Sequence, residues 1–185
     1  MLLALVDDPS HTKVWAQGAE GERAVAERLV RLEDAVVLND RRMRAPDGRL
    51  TRANIDHLAI TATGVWVIDA KTHRGRLEVR RTGGLFSPRR EQLIINGRDR
   101  STLIDGINRQ VDAVATVLGD SAPGVLVRGA LCFVGTELPL LDQDIAGIPL
   151  RGRRGLLKLI SRPGAVDAAQ REKIARHLDE RLPPA

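Results

Sequence analysis

Asp56, Asp69 and Lys71 are the residues of this chain whose types and spacing could do chemistry. The first stands in Asn54-Ile55-Asp56-His57. The other two follow in Asp69-Ala70-Lys71. Two carboxylates and an ammonium gathered in one place suit metal-assisted hydrolysis of a phosphodiester. A divalent cation polarises the phosphate and lowers the pKa of the attacking water. Mg²⁺ prefers hard oxygen ligands, one or two of them carboxylates, completed by substrate and water. Asp56 and Asp69 supply two such ligands, and the Ala70 backbone carbonyl offers a third oxygen. Lys71, held beside the metal, would orient the water or stabilise charge developing on the phosphate. Magnesium is the expected ion, with manganese able to replace it.

A hairpin must bring these groups together. Ile55–Thr61 and Val65–Lys71 read as strands, short and rich in β-branched residues. A two-residue turn at Thr63-Gly64 pairs Ala62 with Val65. Ile60 then faces Val67, Leu58 faces Asp69, and Asp56 faces Lys71. Opposed residues share a face, as do residues two apart on one strand. The three charged groups therefore converge. A slip of one residue would send Asp56 to the other face. That face carries Ala59, Trp66, Ile68 and Ala70, so both sides are largely apolar and the hairpin belongs inside a covered sheet.

Two amphipathic helices flank it. Thr12–Leu32 carries Trp15, Gly18, Glu22, Val25, Leu29 and Leu32 on one stripe. A buried carboxylate needs a partner. Glu22 thus either reaches the acidic site as an outer or water-mediated ligand, or lies at the stripe's edge in solvent. Gly18 would allow close approach to a neighbour. Leu103–Leu118 carries Leu103, Ile107, Gln110, Val114 and Val117. Gln110 would hold substrate or water, or else sit exposed at the stripe's edge.

The remaining strands are Ala35–Asn39, Leu77–Arg80, Glu91–Asn96, Val125–Val134 and Ile145–Leu150, with a turn at Pro46-Asp47-Gly48. Helices follow at Arg153–Ser161 and Val166–Leu182, and the Pro183-Pro184 tail is expected to fray. This order gives an α/β (α+β) class around a mixed sheet. The 185 residues make one domain, with a core over about 12–135 and a C-terminal strand and helices at 145–182 packed on it. Aromatics are only 2%, so Leu, Val, Ile and Ala must do the packing.

Cys132, the single cysteine, excludes an internal disulfide and reads as a small core residue of a chain in a reducing compartment. The net charge of +5 suits a polyanionic partner. His57, His73, Arg74 and Arg76 are the candidate nucleic-acid contacts, the histidines otherwise being surface or wall residues; Arg74, Arg76, Arg89 and Arg90 either track a phosphate backbone or form a solvated basic face. No second His or Cys at ligand spacing accompanies the histidines, which argues against zinc. Met1–Val6 is too short for a signal core, and Arg128 interrupts the best apolar run. A cytoplasmic chain with no membrane association is expected.

Gly18-x-x-Gly21-Glu22, Ile55-Asp56-His57-Leu58, Gly64-Val65-Trp66-Val67-Ile68-Asp69-Ala70-Lys71 and Gly75 together resemble the nuclease-related domain, or NERD, of the PD-(D/E)XK nuclease superfamily. The likeness runs from about Trp15 to Gln110 and onward to Val134. It implies a restriction-endonuclease-like core, a central mixed β-sheet flanked by α-helices, and Mg²⁺-dependent cleavage of DNA. Asp56 would match the first acid, Asp69 the second, Lys71 the lysine, Glu22 the helix-borne acid and Gln110 the glutamine of the following helix. Many members have Glu where Asp69 stands, and the shorter side chain alters the reach to a metal. Ile55, not proline, precedes Asp56. The competing readings are a non-catalytic nucleic-acid-binding module and a partner-binding domain whose charged cluster is an ion-pair network. DNA is the expected partner, with a homodimer as the expected assembly.

Overall fold

The computed structural model describes residues 9–45, 47–84 and 87–185. Met1–Val6, Pro46 of the expected turn, and the side chains of Trp15 and Arg89 lie outside the described residues. Helix α1 (Pro9–Leu29) starts on a proline, whose missing N–H costs nothing in a first turn. It begins and ends three residues earlier than its apolar spacing suggested. Strands β1 (Val36–Arg44), β2 (Leu50–Thr61) and β3 (Gly64–Thr72) follow, then β4 (Leu77–Gly84), β5 (Ser87–Ile95) and the short β6 (Arg98–Asp99). Helix α2 (Thr102–Leu118) leads to β7 (Val127–Val134). Ile145–Leu150, read as one strand, is a hairpin of β8 (Gln143–Ile145) and β9 (Ile148–Gly152). Ala146 and Gly147 turn it with φ of 48° and 78°, the paired positive values a tight hairpin requires. Helices α3 (Arg153–Ile160) and α4 (Ala168–Arg181) complete the chain. Asp167 and Gln170 close a reciprocal capping box at the start of α4.

The central sheet has six strands in the order β1-β2-β3-β7-β9-β8. Strands β3, β7 and β9 run parallel, and the other pairings are antiparallel. A separate sheet holds β4-β5-β6. This is a mixed α+β architecture with a central mixed sheet flanked by helices.

Strand parity divides the core into two layers. Leu58, Ile60, Val67 and Leu131 join Ile107 and Val114 of α2 and Leu178 of α4. Ala59, Trp66, Ile68 and Cys132 face the opposite way, onto Val25 and Leu29 of α1 and Leu156 and Ile160 of α3. Burial pushes the Cys132 thiol up to about 12, as expected of an inert core cysteine. Arg128 stacks 5.4 Å over the Trp66 ring and donates to the Thr63 carbonyl, closing the turn end of this layer.

The C-terminal tail does not fray. Arg42 N donates to the Pro183 carbonyl and Ala185 N to the Asp40 carbonyl, so the tail covers the open edge of β1. Among the described residues no helix is long and apolar enough to cross a membrane.

The loop before α4 is seated directly on the β2–β3 turn. Val166 N donates to the Ala62 carbonyl, and a Cβ added at Gly164 would stand 2.0 Å from that same oxygen. Backbone cannot yield as a side chain can. Gly164→Ala is therefore expected to destabilise the chain by about 2–4 kcal/mol. Urea unfolding measures this, and an unchanged midpoint would contradict the packing described.

Candidate active site

The site is built on the β2–β3 hairpin, whose turn differs from the one its sequence suggests. Thr61 pairs with Gly64, so the two turn residues are Ala62-Thr63, not Thr63-Gly64. Side-chain hydrogen bonds explain the choice. Thr63 N donates to Thr61 Oγ1, the two threonine hydroxyls lie 2.9 Å apart, and Trp66 Nε1 donates to Thr63 Oγ1. Gly64 serves another purpose. Val65 N bonds the Leu126 carbonyl, and a Cβ on Gly64 would lie 2.4 Å from that oxygen.

The whole register is thereby displaced by two residues. Leu58 pairs with Val67 and His57 with Ile68, which sets Asp56 across from Asp69 and not from Lys71. A displacement of two preserves parity, so all three charged groups still share one face. The main-chain ladder between β2 and β3 ends at His57–Ile68. Beyond it, Ala70 N donates to Asp56 Oδ2 at 2.8 Å, a side chain standing in for a backbone partner. Lys71 forms an ion pair with Asp69 Oδ1, and Asp69 is only 5% exposed.

Asp56, half-buried, and Asp69, buried, thus face each other. Burial first, and then the charge and hydrogen bond of Asp69, push the Asp56 carboxyl up to about 8. The Ala70 N–H and Lys71 pull the other way and do not compensate. Two facing carboxylates that resist ionising together are a donor set suited to a hard divalent cation. Among the described residues no group of three or more His, Cys, Asp and Glu side chains is placed to hold a metal ion. Further oxygens would therefore come from the main chain or from water.

Glu22 sits on the exposed shoulder of α1. Its carboxyl nonetheless leans toward the site. Partial burial raises its pKa first, then Asp40 and Asp69 raise it further, while Lys71 lowers it. The close approach that places α1 there is made at Gly21, not Gly18. A Cβ at Gly21 would lie 2.0 Å from Thr72 Oγ1, whereas Gly18 faces open space. The glycine of closest approach stands three residues further along, directly over the end of β3.

Gln110 lies on the face of α2 turned toward the sheet, on the same side as Asp56, Asp69 and Lys71. Its neighbours on that stripe, Ile107 and Val111, would meet a Cβ on Gly129 at 2.8 and 3.0 Å. Gln110 Oε1 is buried with no hydrogen-bond partner, and the amide does not bond the carboxylates. Such an orphaned acceptor asks for water or substrate.

His57 is not a surface contact. With Ala59 it lies on the α1 side of β2, where it is 2% exposed and its Nδ1 lies 2.7 Å from Asn39 Oδ1. Burial pushes its pKa down to about 4, against the pull of Asp69, which keeps the ring neutral. Its Nε2 makes no regular hydrogen bond, although the Glu22 main chain lies on that side. His57 is a wall between α1 and the acids. His73 is half-buried, and its pKa is lowered by burial and then by Arg100 and Lys71. Arg74 and Arg76 are exposed on the loop that leaves β3, and Arg90 is exposed on β5.

Asp40 belongs to the site's surroundings and was not singled out in the sequence. It adopts φ of 49° within β1, accepts from Asn54 Nδ2 at 3.1 Å, and acts electrostatically on Glu22 and His57. The Asn39-Asp40 pair was the available signal, since these residues tolerate the left-handed backbone that interrupts a strand. Arg100 was also passed over, because only the fold brings it beside His73.

The model of the nuclease-related domain matches residues 17–134. The chain belongs to this family. The matched span covers α1 through β7, hence every site residue described above. No curated protein and no solved structure matches this NERD chain. A cavity of about 520 Å³ lies elsewhere, beside the β2–β3 turn, lined by Arg31, Asp34, Thr61, Ile160, Arg162 and Arg171. Asp56, Asp69 and Lys71 stand at the other end of the hairpin.

Proposed function

We propose that this chain is a divalent-cation-dependent nuclease that hydrolyses DNA phosphodiester bonds at a PD-(D/E)XK-type site. One observation carries the reading: Asp56 and Asp69 face each other in partial burial, with Lys71 against the second of them. Asp56, Asp69 and the Ala70 carbonyl would hold Mg²⁺ or Mn²⁺, with Glu22 assisting through water. When bound, the cation polarises the phosphate and lowers the pKa of a coordinated water. The residues of the chain do the rest. The Ala70 N–H fixes the rotamer of Asp56. Lys71, released from Asp69, stabilises charge on the phosphate or orients the attacking water. Gln110 supplies a buried acceptor to that water or to substrate. Arg74 and Arg76 offer cationic contacts to flanking phosphates, and the His73 ring beside them offers a hydrogen bond.

The direct Lys71–Asp69 ion pair also suits a second reading, a non-catalytic nucleic-acid- or partner-binding module stabilised by an ion-pair network. Metal separates the two. Purified protein should cleave duplex, single-stranded or branched DNA with Mg²⁺ or Mn²⁺, and lose that activity in EDTA. Gln110→Leu should lower cleavage by about tenfold or more while stability holds or rises, because it removes an orphaned polar atom from the interior. Cleavage that persists in EDTA would rule out the metal mechanism. Salt-sensitive binding with no cleavage under any metal would favour the second reading.

A further inference from the structure

Leu140 and Leu141 are 102% and 74% exposed. Among the described residues they are the only adjacent pair of large exposed apolar side chains. Nothing in the chain's own core uses them. Yet the segment that carries them is firmly held. Thr136 Oγ1 donates to the His73 carbonyl at 2.6 Å, Glu137 N donates to the Gly75 carbonyl, and Leu77 N to the Glu137 carbonyl. On the far side, Gln143 Nε2 donates to the Leu141 carbonyl, and Arg151 forms ion pairs with Asp142 and Asp144. Pro139 stiffens the approach to the tip.

These ties join the tip to the chain that leaves Lys71. His73 follows Lys71 by two residues, and Leu140 follows Thr136 by four. Even fully extended, those stretches and the hydrogen bond that joins them keep Leu140 within about 30 Å of Lys71, roughly nine base steps of one DNA strand. Arg74 and Arg76 stand exposed on the same loop, where the Arg76 main chain bridges to Glu137. For a DNA strand seated on those arginines, with a phosphate at Lys71, the leucines lie within about one turn of duplex. Apolar side chains presented in this way wedge between base steps and unstack them.

We propose that Leu140 and Leu141 form a wedge that opens a base step near the cleaved phosphate, so that the substrate is duplex DNA interrupted or opened at that point. This inference rests on the nuclease reading above. The test uses the full chain in EDTA, with duplexes carrying 2-aminopurine at successive positions around a nick. Binding should raise the fluorescence several-fold at one or two positions. The double variant Leu140→Ala/Leu141→Ala should lose that rise and bind about tenfold more weakly. Its salt dependence should be unchanged, because the phosphate contacts remain. Both side chains are exposed, so the variant keeps its fold, and circular dichroism checks this. Binding without unstacking at any position overturns the wedge alone. So does an equal rise in the variant, or a variant that turns a dimer into a monomer and so reveals a second copy as the occupant. Failure to bind any of the duplexes overturns the wedge and the nuclease reading together.

Discussion

Asp69→Ala abolishes metal-dependent cleavage, by a factor of at least about a thousand, and Lys71→Ala does nearly the same. The two substitutions act on different parts of the chemistry. Asp69 is the more deeply buried member of the carboxylate pair, and its removal takes away half of the donor set. Among the described residues Lys71 is the only side chain with a fixed positive charge against that pair. Its removal leaves the donors in place but deprives the developing phosphate charge of a partner. Metal binding should therefore fail in the first variant and persist in the second. Neither change should unfold the chain. The apolar face formed by Leu58, Ile60, Val67 and Leu131 lies further along the strands, and the Trp66 layer is on the other side of the sheet. Single-turnover cleavage at saturating Mg²⁺, with circular dichroism as the control, measures the outcome. Undiminished cleavage in Asp69→Ala would remove the proposed mechanism.

Asp56→Asn should stabilise the metal-free protein while inactivating it. The sign follows from the raised proton affinity of Asp56. In the unfolded chain this carboxyl ionises near its ordinary 3.8; in the folded chain it keeps its proton up to about 8. Between those values the folded state binds more protons, so stability falls as pH rises through the window. Discounted for partial exposure, the cost at pH 8 is about 2–3 kcal/mol, or roughly 5–10 °C in Tm for a chain of this size. Asparagine keeps the shape and an acceptor for the Ala70 N–H but carries no charge. In EDTA, the Tm of the wild type should drop between pH 5 and pH 8, and that of Asp56→Asn should drop much less. Mg²⁺ should restore the wild type at pH 8 and leave the variant unchanged, because only the wild type offers the cation two ionised carboxylates. Glu22, Asp40, Asp69, Lys71 and His57 surround this group, so the variant is needed to assign the pH dependence to Asp56. A wild type whose Tm is flat over this range, or an Asp56→Asn less stable than it, would contradict the arrangement. Stability gained by deleting a charge at the cost of activity is common where a site is strained for function.

The faces of the hairpin were legible because strand periodicity is two, and an error of two residues leaves them intact. The register itself was not. It depends on hydrogen bonds among Thr61, Thr63 and Trp66 and on the proximity of Leu126 to Gly64, contacts that no spacing along the chain displays. For the same reason Asp56 was matched with Lys71 when it faces Asp69. Parity also placed His57 behind the acids, yet its closeness in sequence to Asp56 suggested a surface role. The apolar stripe of α1 made Gly18 look like the contact glycine, although the helix meets β3 at Gly21. The hairpin within Ile145–Leu150 was hidden because Ala146 takes a positive φ that alanine rarely adopts. Asp40 escaped notice because a left-handed residue inside a strand breaks the alternation on which the reading relied. Glu22 and Gln110 were visible as polar residues on apolar stripes; Glu22 lies exposed at the edge of its stripe, within electrostatic reach of Asp40, Lys71 and Asp69, and Gln110 Oε1 is buried without a partner.

Isothermal titration of Mn²⁺ and Mg²⁺ into the metal-free wild type, in buffers of differing ionisation enthalpy near pH 7, tests the central claim most directly. The account predicts a binding isotherm accompanied by release of a proton, as the carboxylate pair ionises around the cation, and loss of both in Asp56→Asn. Absence of binding in the wild type, or binding that the variant retains with the same proton release, would contradict it.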